Sequence, residues 1–359
     1  MLMTRRYILY VGGLGVLAFF IPRCRTILSK LLFRPRGEEV RPKGFDRAAP
    51  GRERSLVVIV KGDDVEEMIR EGIGLLGGLE RFDLKGKQAL VKPNVVAADP
   101  PPTTTDPRVV KAVVNLLYQA GASKVVIGEM SAILTLPTMR NLERTGIKQA
   151  ALEAGAEVIT FDDGEWVRVS PPQARYAKSF YVAKAYYEAD FLVSLPVIKT
   201  HRSASYSLSL KNTIGAIHPR NRPSLYGSRY WEEIIAEVNL AAIPHLIIAD
   251  GLRCMVAGGP WRGEAERTNL IMASRDMIAL DAVGLSLLKH FGRWDRVTNV
   301  PVWGQRQVKR AVELGLGAKG PSAVELVAKS LLGRDEAFSK LAEALEAHLR
   351  NGAQPGESC

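Results

Sequence analysis

Residues 104–129 read TTDPRVVKAVVNLLYQAGASKVVIGE. Asp106 stands where a helix N-cap is wanted and Pro107 where the first helical residue goes. A capping carboxylate accepts orphan amides at that end, and proline needs no amide there. The predicted helix ends before Gly121, and the apolar run 124–128 follows as a strand. Another apolar run, 88–92, precedes the helix, so the segment reads strand, helix, strand. The same alternation extends both ways. Upstream, 56–60 is a strand, and Asp63 or Asp64 caps a helix reaching about residue 76. Downstream, a helix ending near residue 154 leads to strand 157–161, 163–182 reads as irregular, and 190–195 is a strand. An amphipathic helix over 230–242, strand 245–249, a Gly-rich loop through Gly263, strand 269–273 and helix 276–290 complete the series. This pattern predicts an α/β fold, a mostly parallel sheet flanked by helices and Rossmann-like in class.

The chain has 359 residues and a formal net charge of +11. Its basicity is concentrated at one end: residues 1–52 hold eleven Lys/Arg against three acids, which leaves only +3 for the rest. A nucleic-acid partner is therefore not expected, because that function needs a basic face on the folded body. Arg5-Arg6 precede an uncharged run ending at Ile21, resembling a twin-arginine export signal. No small-x-small cleavage site follows, and the run of about fifteen residues falls short of the roughly twenty a span requires. The expected organisation is a signal-like leader or membrane anchor over 1–33, a flexible basic tether over 34–54, an α/β domain over 55–321, and a C-terminal helix and tail over 322–359. Membrane association runs through the N-terminal segment, with its sidedness open. Ser322 and Glu325 form a capping box for the last helix, and Phe338, Leu341, Leu345 and Leu349 make its packing stripe.

Cys24, Cys254 and Cys359 are far apart with no Cys-x-x-Cys pair, so an iron–sulfur cluster is not expected. Gly72, Gly74 and Gly77 match a dinucleotide-binding spacing, but at the end of a helix, where that loop does not form. No P-loop, Gly-x-Ser-x-Gly elbow or His-Glu-x-x-His occurs.

Chemistry is expected where strands end, since parallel sheets bind ligands beyond their carboxyl edges. Lys92 and Asn94 follow one strand, Glu129 another, Asp162 a third and Asp250 a fourth. The richest stretch is 195–218, LPVIKTHRSASYSLSLKNTIGAIH, which gathers Lys199, His201, Lys211, Asn212 and His218 without one acid. Lys92, Lys199 and Lys211 would hold a carboxylate or phosphate, with Asn94, Asn212 and Asp250 orienting it. His201 would exchange protons near neutral pH. Glu129 and Asp281, with Asp250, His201 or water, are the candidate ligands of a divalent cation, which prefers oxygen donors; no other cofactor is assigned. The loop Gly258-Gly259-Pro260-Trp261-Arg262-Gly263 is placed to turn or to close over a ligand.

Five blocks, LVKPNVV (90–96), 104–129, 195–217, IIADGLRCMVAGGPWRG (247–263) and LIMASRDMIALDAVG (270–284), resemble the domain-of-unknown-function family 362 in order. The resemblance singles out Lys92, Asn94, Asp106, Glu129, Lys199, His201, Lys211, Asn212, Asp250, Asp276 and Asp281. It implies that relatives can carry ferredoxin-like cysteine clusters, which this chain lacks. The expected function is a membrane-associated α/β protein, an enzyme for a small anionic substrate. The alternative is a non-catalytic accessory or ligand-binding protein of an envelope or redox pathway, its protein partner unassigned.

Overall fold

The computed structural model describes residues 35–44 and 54–351. In chain order the elements are β1 (Glu39–Val40), β2 (Ser55–Lys61), α1 (Val65–Leu75), β3 (Gln88–Pro93), α2 (Pro107–Gln119), β4 (Lys124–Glu129), α3 (Thr138–Arg144), α4 (Ile147–Glu153) and β5 (Glu157–Thr160). Then come β6 (Trp166–Val169), β7 (Phe180–Ala183), α5 (Lys184–Glu188), β8 (Phe191–Leu195), β9 (Val197–His201), β10 (Ser205–Ser207), α6 (Ser209–Asn212), α7 (Arg222–Tyr226) and α8 (Trp231–Glu237). The chain continues with β11 (Leu246–Gly258), β12 (Gly263–Ser274), α9 (Met277–Phe291), α10 (Asp295–Thr298), α11 (Arg306–Glu313), β13 (Val324–Ser330) and α12 (Glu336–Arg350).

The local signals act where they were read. Asp64 accepts the Glu67 amide and starts α1, Asp106 accepts the Arg108 amide and starts α2, and Asp276 accepts the amides of Ile278 and Ala279 and starts α9. The helix expected before residue 154 is broken into α3 and α4 at Gly146, whose φ of 79° a side chain would resist.

The large sheet runs β13-β2-β12-β11-β8-β3-β4-β5, with β9 continuing beside β11 and pairing with β10. The sheet is mixed, which corrects the expectation of a mostly parallel one. β11 and β12 are two arms of a long hairpin turning over residues 259–262, and so short a connection can join only antiparallel neighbours. β12 is also antiparallel to β2, while β11-β8-β3-β4-β5 and β13-β2 are parallel pairings. The Gly-rich loop expected from 249 to 263 is therefore mostly strand.

The core lies on both faces of this sheet. Along β2, Val57 and Ile59 join one apolar cluster and Val58 and Val60 the other, as period-two geometry requires. Residues of α1, α2 and α4 cover one face, and residues of α8, α9, α11 and α12 the other. Strands buried on both sides read as continuous apolar runs, which is why they were legible.

Two further readings change. The segment 163–182 contains β6 and β7, which pair antiparallel, and β1 adds to β6 in parallel, forming a separate three-stranded sheet. Part of the supposed tether is thus fixed to the body, and the Lys43 and Gly44 amides also donate to the carbonyls of Ala241 and Leu240. The Ser322–Glu325 capping box does not start a helix: 324–330 is β13, paired along its length with β2. Pairing seven residues against a buried strand outweighs a single side-chain cap. The last helix starts instead at Asp335, which accepts the Phe338 amide, and Phe338, Leu345 and Leu349 are buried against the body. The N-terminal run read as an export signal or anchor lies outside the described residues. Among the described residues, no helix is long and apolar enough to cross a membrane.

Candidate functional site

Beyond the carboxyl ends of β3 and β4, a cavity of about 630 Å³ opens, lined by residues from β3, β4, β9, α6, α7 and the β11–β12 hairpin tip. Lys92, Asn94, Glu129, His201, Lys211 and Asn212 all line it. Parallel pairing explains the first part of this gathering. β3 and β4 run side by side, with Val91 opposite Ile127, so the chain positions just after them emerge together. Lys92 Nζ donates to Glu129 Oε2 at 2.6 Å, and both side chains are almost wholly buried. Burial pulls the Lys92 amine down and pushes the Glu129 carboxyl up, each opposed by the other's charge.

An amide relay extends from this pair. Asn212 Oδ1 accepts from Lys92 Nζ at 3.4 Å and from Asn94 Nδ2 at 3.2 Å. Asn212 Nδ2 donates to Ser194 Oγ and to the Lys92 carbonyl. Asn94 Oδ1 in turn accepts from Lys199 Nζ at 2.5 Å, and Lys199 also donates to the Thr103 carbonyl at 2.7 Å. Lys199 is fully buried behind Asn94 and is not among the cavity-lining residues. Its amine is held well below the ordinary lysine value, by burial first and then by Lys211. The expected direct role for Lys199 gives way to a supporting one, since its donors are already engaged.

Lys211 is the contrasting lysine. It sits on α6, whose first amides, those of Ser209 and Leu210, donate to the buried carboxylate of Asp281. Burial and the like charges of Arg222 and Lys92 bring the Lys211 amine down to about 7, with no carboxylate offsetting them.

His201 also lines the cavity, but as a neutral ring. Its Nδ1 accepts the amides of Ser203 and Ala204, each at 3.2 Å, closing the β9–β10 turn. That leaves the proton on Nε2. Burial, with Lys211 and Lys199 adding, drives His201 well below its usual value, so the expected titration near neutral pH is corrected.

The remaining sequence candidates do structural work. Asp250 accepts the Asp106 and Leu252 amides at 2.7 and 3.0 Å, bracing α2 against β11; burial pushes its carboxyl up to about 7 against those bonds. Asp281 caps α6, Asp276 caps α9, and Asp162 accepts the Thr138 amide. None of the three, nor Asp250, lines the cavity. His218 stands edge-on to Trp166 at 4.5 Å. Glu129 and Asp281 are thus engaged with different partners rather than sharing a cation. Among the described residues, no group of three or more His, Cys, Asp or Glu is placed to hold a metal. Cys254 is buried, its thiol pushed up to about 12 by desolvation, and Cys24 and Cys359 lie outside the described residues.

Some site residues escaped the sequence. Arg222 is almost wholly buried and donates to the carbonyls of Ile217, Ser131, Met130 and Gly215, tying the segment after β4 to the segment after α6. Nothing distinguishes it locally from Arg220 or Arg229. Gly215 is a close-approach glycine: a Cβ there would overlap the Glu129 carboxylate and lie 2.5 Å from Lys92 Nζ. Gly215→Ala is expected to cost about 1–3 kcal/mol through this overpacking, read as a lower denaturation midpoint with an unchanged m-value. The hairpin tip does close one side of the cavity. Gly259, Pro260, Trp261 and Arg262 line it, and Thr103 Oγ1 donates to the Trp261 carbonyl at 3.0 Å.

Residues 89–286 match the family described as Domain of unknown function (DUF362). The chain belongs to this family. The matched span carries Lys92, Asn94, Glu129, Lys199, His201, Lys211 and Asn212, and so the whole polar network of the cavity. This DUF362 chain is also similar to a thylakoid-associated protein of Synechocystis sp., at 26% identity over 221 residues, 60% of this chain and 67% of that protein. A crystal structure of a Thermotoga maritima protein superposes with a TM-score of 0.33 and 17% identity, over 60% of this chain and 56% of that one.

Proposed function

We propose that this DUF362 protein is an enzyme that binds a small carboxylate or phosphate in the cavity at the end of β3 and β4. The observation that carries the reading is the imbalance of charge around that space. Lys92, Lys211, Arg202, Arg222 and Arg262 line it, and Glu129 is the only acid among the lining residues. In a partly desolvated cavity such an excess favours an anion strongly, because the charges repel one another until a counter-charge enters. Asn94, held in place by Asn212, and the neutral His201 then orient the ligand through fixed donors, rather than through charges that move with pH. An accessory binding role would use the same surface. The burial of reactive groups favours an enzyme, since perturbed ionisable side chains gathered in a cleft are typical of catalytic sites. We further place the protein at a membrane, through its N-terminal segment, a reading supported by the thylakoid association of the Synechocystis relative.

Thermal unfolding of the purified full chain tests the anion site. Benzoate and inorganic phosphate are titrated against uncharged benzyl alcohol. The anions are expected to raise Tm, by the equivalent of about 2.7 kcal/mol at a hundredfold excess over Kd, with the gain falling as salt is added. An equal response to benzyl alcohol, or no response to any carboxylate or phosphate in a wider panel, would remove the anion site.

A further inference from the structure

From its place in the cavity wall, we infer that Lys211 is the nucleophile of this cavity, forming an imine with the carbonyl of an oxo acid that has an apolar side chain. The inference rests on the anion-binding reading and names the substrate class and the chemistry.

Three lysines surround the site, and they are in different situations. Lys92 is paired with Glu129, and Lys199 is bonded to Asn94 and the Thr103 carbonyl. Lys211 lines the cavity, and the charges acting on it, Arg222 and Lys92, share its own sign. Its helix is anchored by Asp281, which accepts the first two amides of α6, so the side chain starts from a fixed point. A lysine desolvated beside other cations keeps a share of free amine at neutral pH, and free amine is the form that attacks a carbonyl. The value of about 7 is consistent with that.

The surroundings select the rest of the substrate. Arg202 and Arg262, which line the same cavity, would hold a carboxylate there. The carbonyl therefore belongs to a molecule that also carries a carboxylate. The wall formed by Val95, Val96, Met130, Ile214, Trp231 and Trp261 offers nothing polar from its side chains except two indole N–H groups, and would take an apolar tail. The step balances without a further reactant. The amine lone pair forms the C–N bond, and the carbonyl π pair moves to oxygen, which takes a proton. Loss of that oxygen as water, with the remaining amine proton released, leaves the imine. Glu129, lining the same cavity in its pair with Lys92, is the carboxylate available to relay these protons.

The test uses the full chain with phenylpyruvate and sodium cyanoborohydride, which reduces an imine to a stable secondary amine. Peptide mapping by mass spectrometry is expected to place the adduct on Lys211, in preference to the surface lysines. Lys211→Arg keeps a cation but cannot form an imine, and is expected to lose the adduct. The wild-type peptide map decides the matter even if that variant folds poorly. If phenylpyruvate raises the Tm of the wild-type protein while no adduct forms at Lys211, the imine is overturned and the anion site stands. If phenylpyruvate neither stabilises the protein nor labels Lys211, while benzoate and phosphate are also without effect, the anion site itself is overturned.

Discussion

Replacing Lys211 by methionine is expected to stabilise the protein at pH 6, and the gain should shrink as the pH rises towards 10. The amine falls from 10.5 to about 7 on folding. The unfolded chain therefore binds more protons than the folded one between those values, and stability rises with pH across that window. Above 10.5 both states hold a neutral amine, and the burial cost is absent. Below about 7 both hold the charge, and the cost is at its full size. A shift of that size corresponds to about 5 kcal/mol for a fully desolvated group. Lys211 keeps part of its surface in contact with solvent, so screening reduces the expected gain at pH 6 to roughly 2 kcal/mol. Urea unfolding of both proteins at pH 6 and pH 10 reads this directly. A difference independent of pH would mean that Lys211 is not held against its charge. A lysine that destabilises its own protein is what a cavity built for an anion should show.

Breaking the Lys92–Glu129 pair from one side is the other large expected effect. Lys92→Met or Glu129→Leu should each cost about 3–5 kcal/mol, because the partner is left charged and buried without compensation. The double variant Lys92→Met/Glu129→Leu should recover much of that loss, since apolar groups of similar size carry no desolvation penalty. Denaturant midpoints of the three variants form the cycle. Additive losses would show that the two side chains do not act as a unit. The recovered double variant should also lose the proton relay ascribed to Glu129, which separates the pair's contribution to stability from its contribution to chemistry.

Asp250, read at a strand end, and Asp281, read as a cation ligand, show how far a reading of acids in the sequence carries. Both were found as acids in a suggestive place, and both turn out to accept backbone amides, one bracing the start of α2 and the other the start of α6. Their value to the site is indirect, since α6 carries Lys211 and Asn212. A sequence shows that a carboxylate is available. It does not show which amide, in a segment distant along the chain, will reach it first.

What the sequence by itself determined about this protein is whatever rests on interactions within a few residues. The caps Asp64, Asp106 and Asp276, the proline at the start of α2, and the apolar runs that became β2, β3, β4, β5 and β8 all follow from local rules, and the structure follows them. The two-sided burial of those strands also made the α/β class legible. Only the tertiary structure decided the rest. β12 runs antiparallel because it returns from β11 over a turn of four residues. Ser322 lost its helix because β2 offered 324–330 a full ladder of backbone partners. Within the site, Lys92, Lys199 and Lys211 are the same residue type, two on strands and one on a short helix. What separates them is partners far away in the chain: Glu129 for the first, Asn94 for the second, and for the third only the like charges of Arg222 and Lys92. The charge of a lysine is local, but its neutralisation is set by the register between β3 and β4 and by where the chain leaves β9.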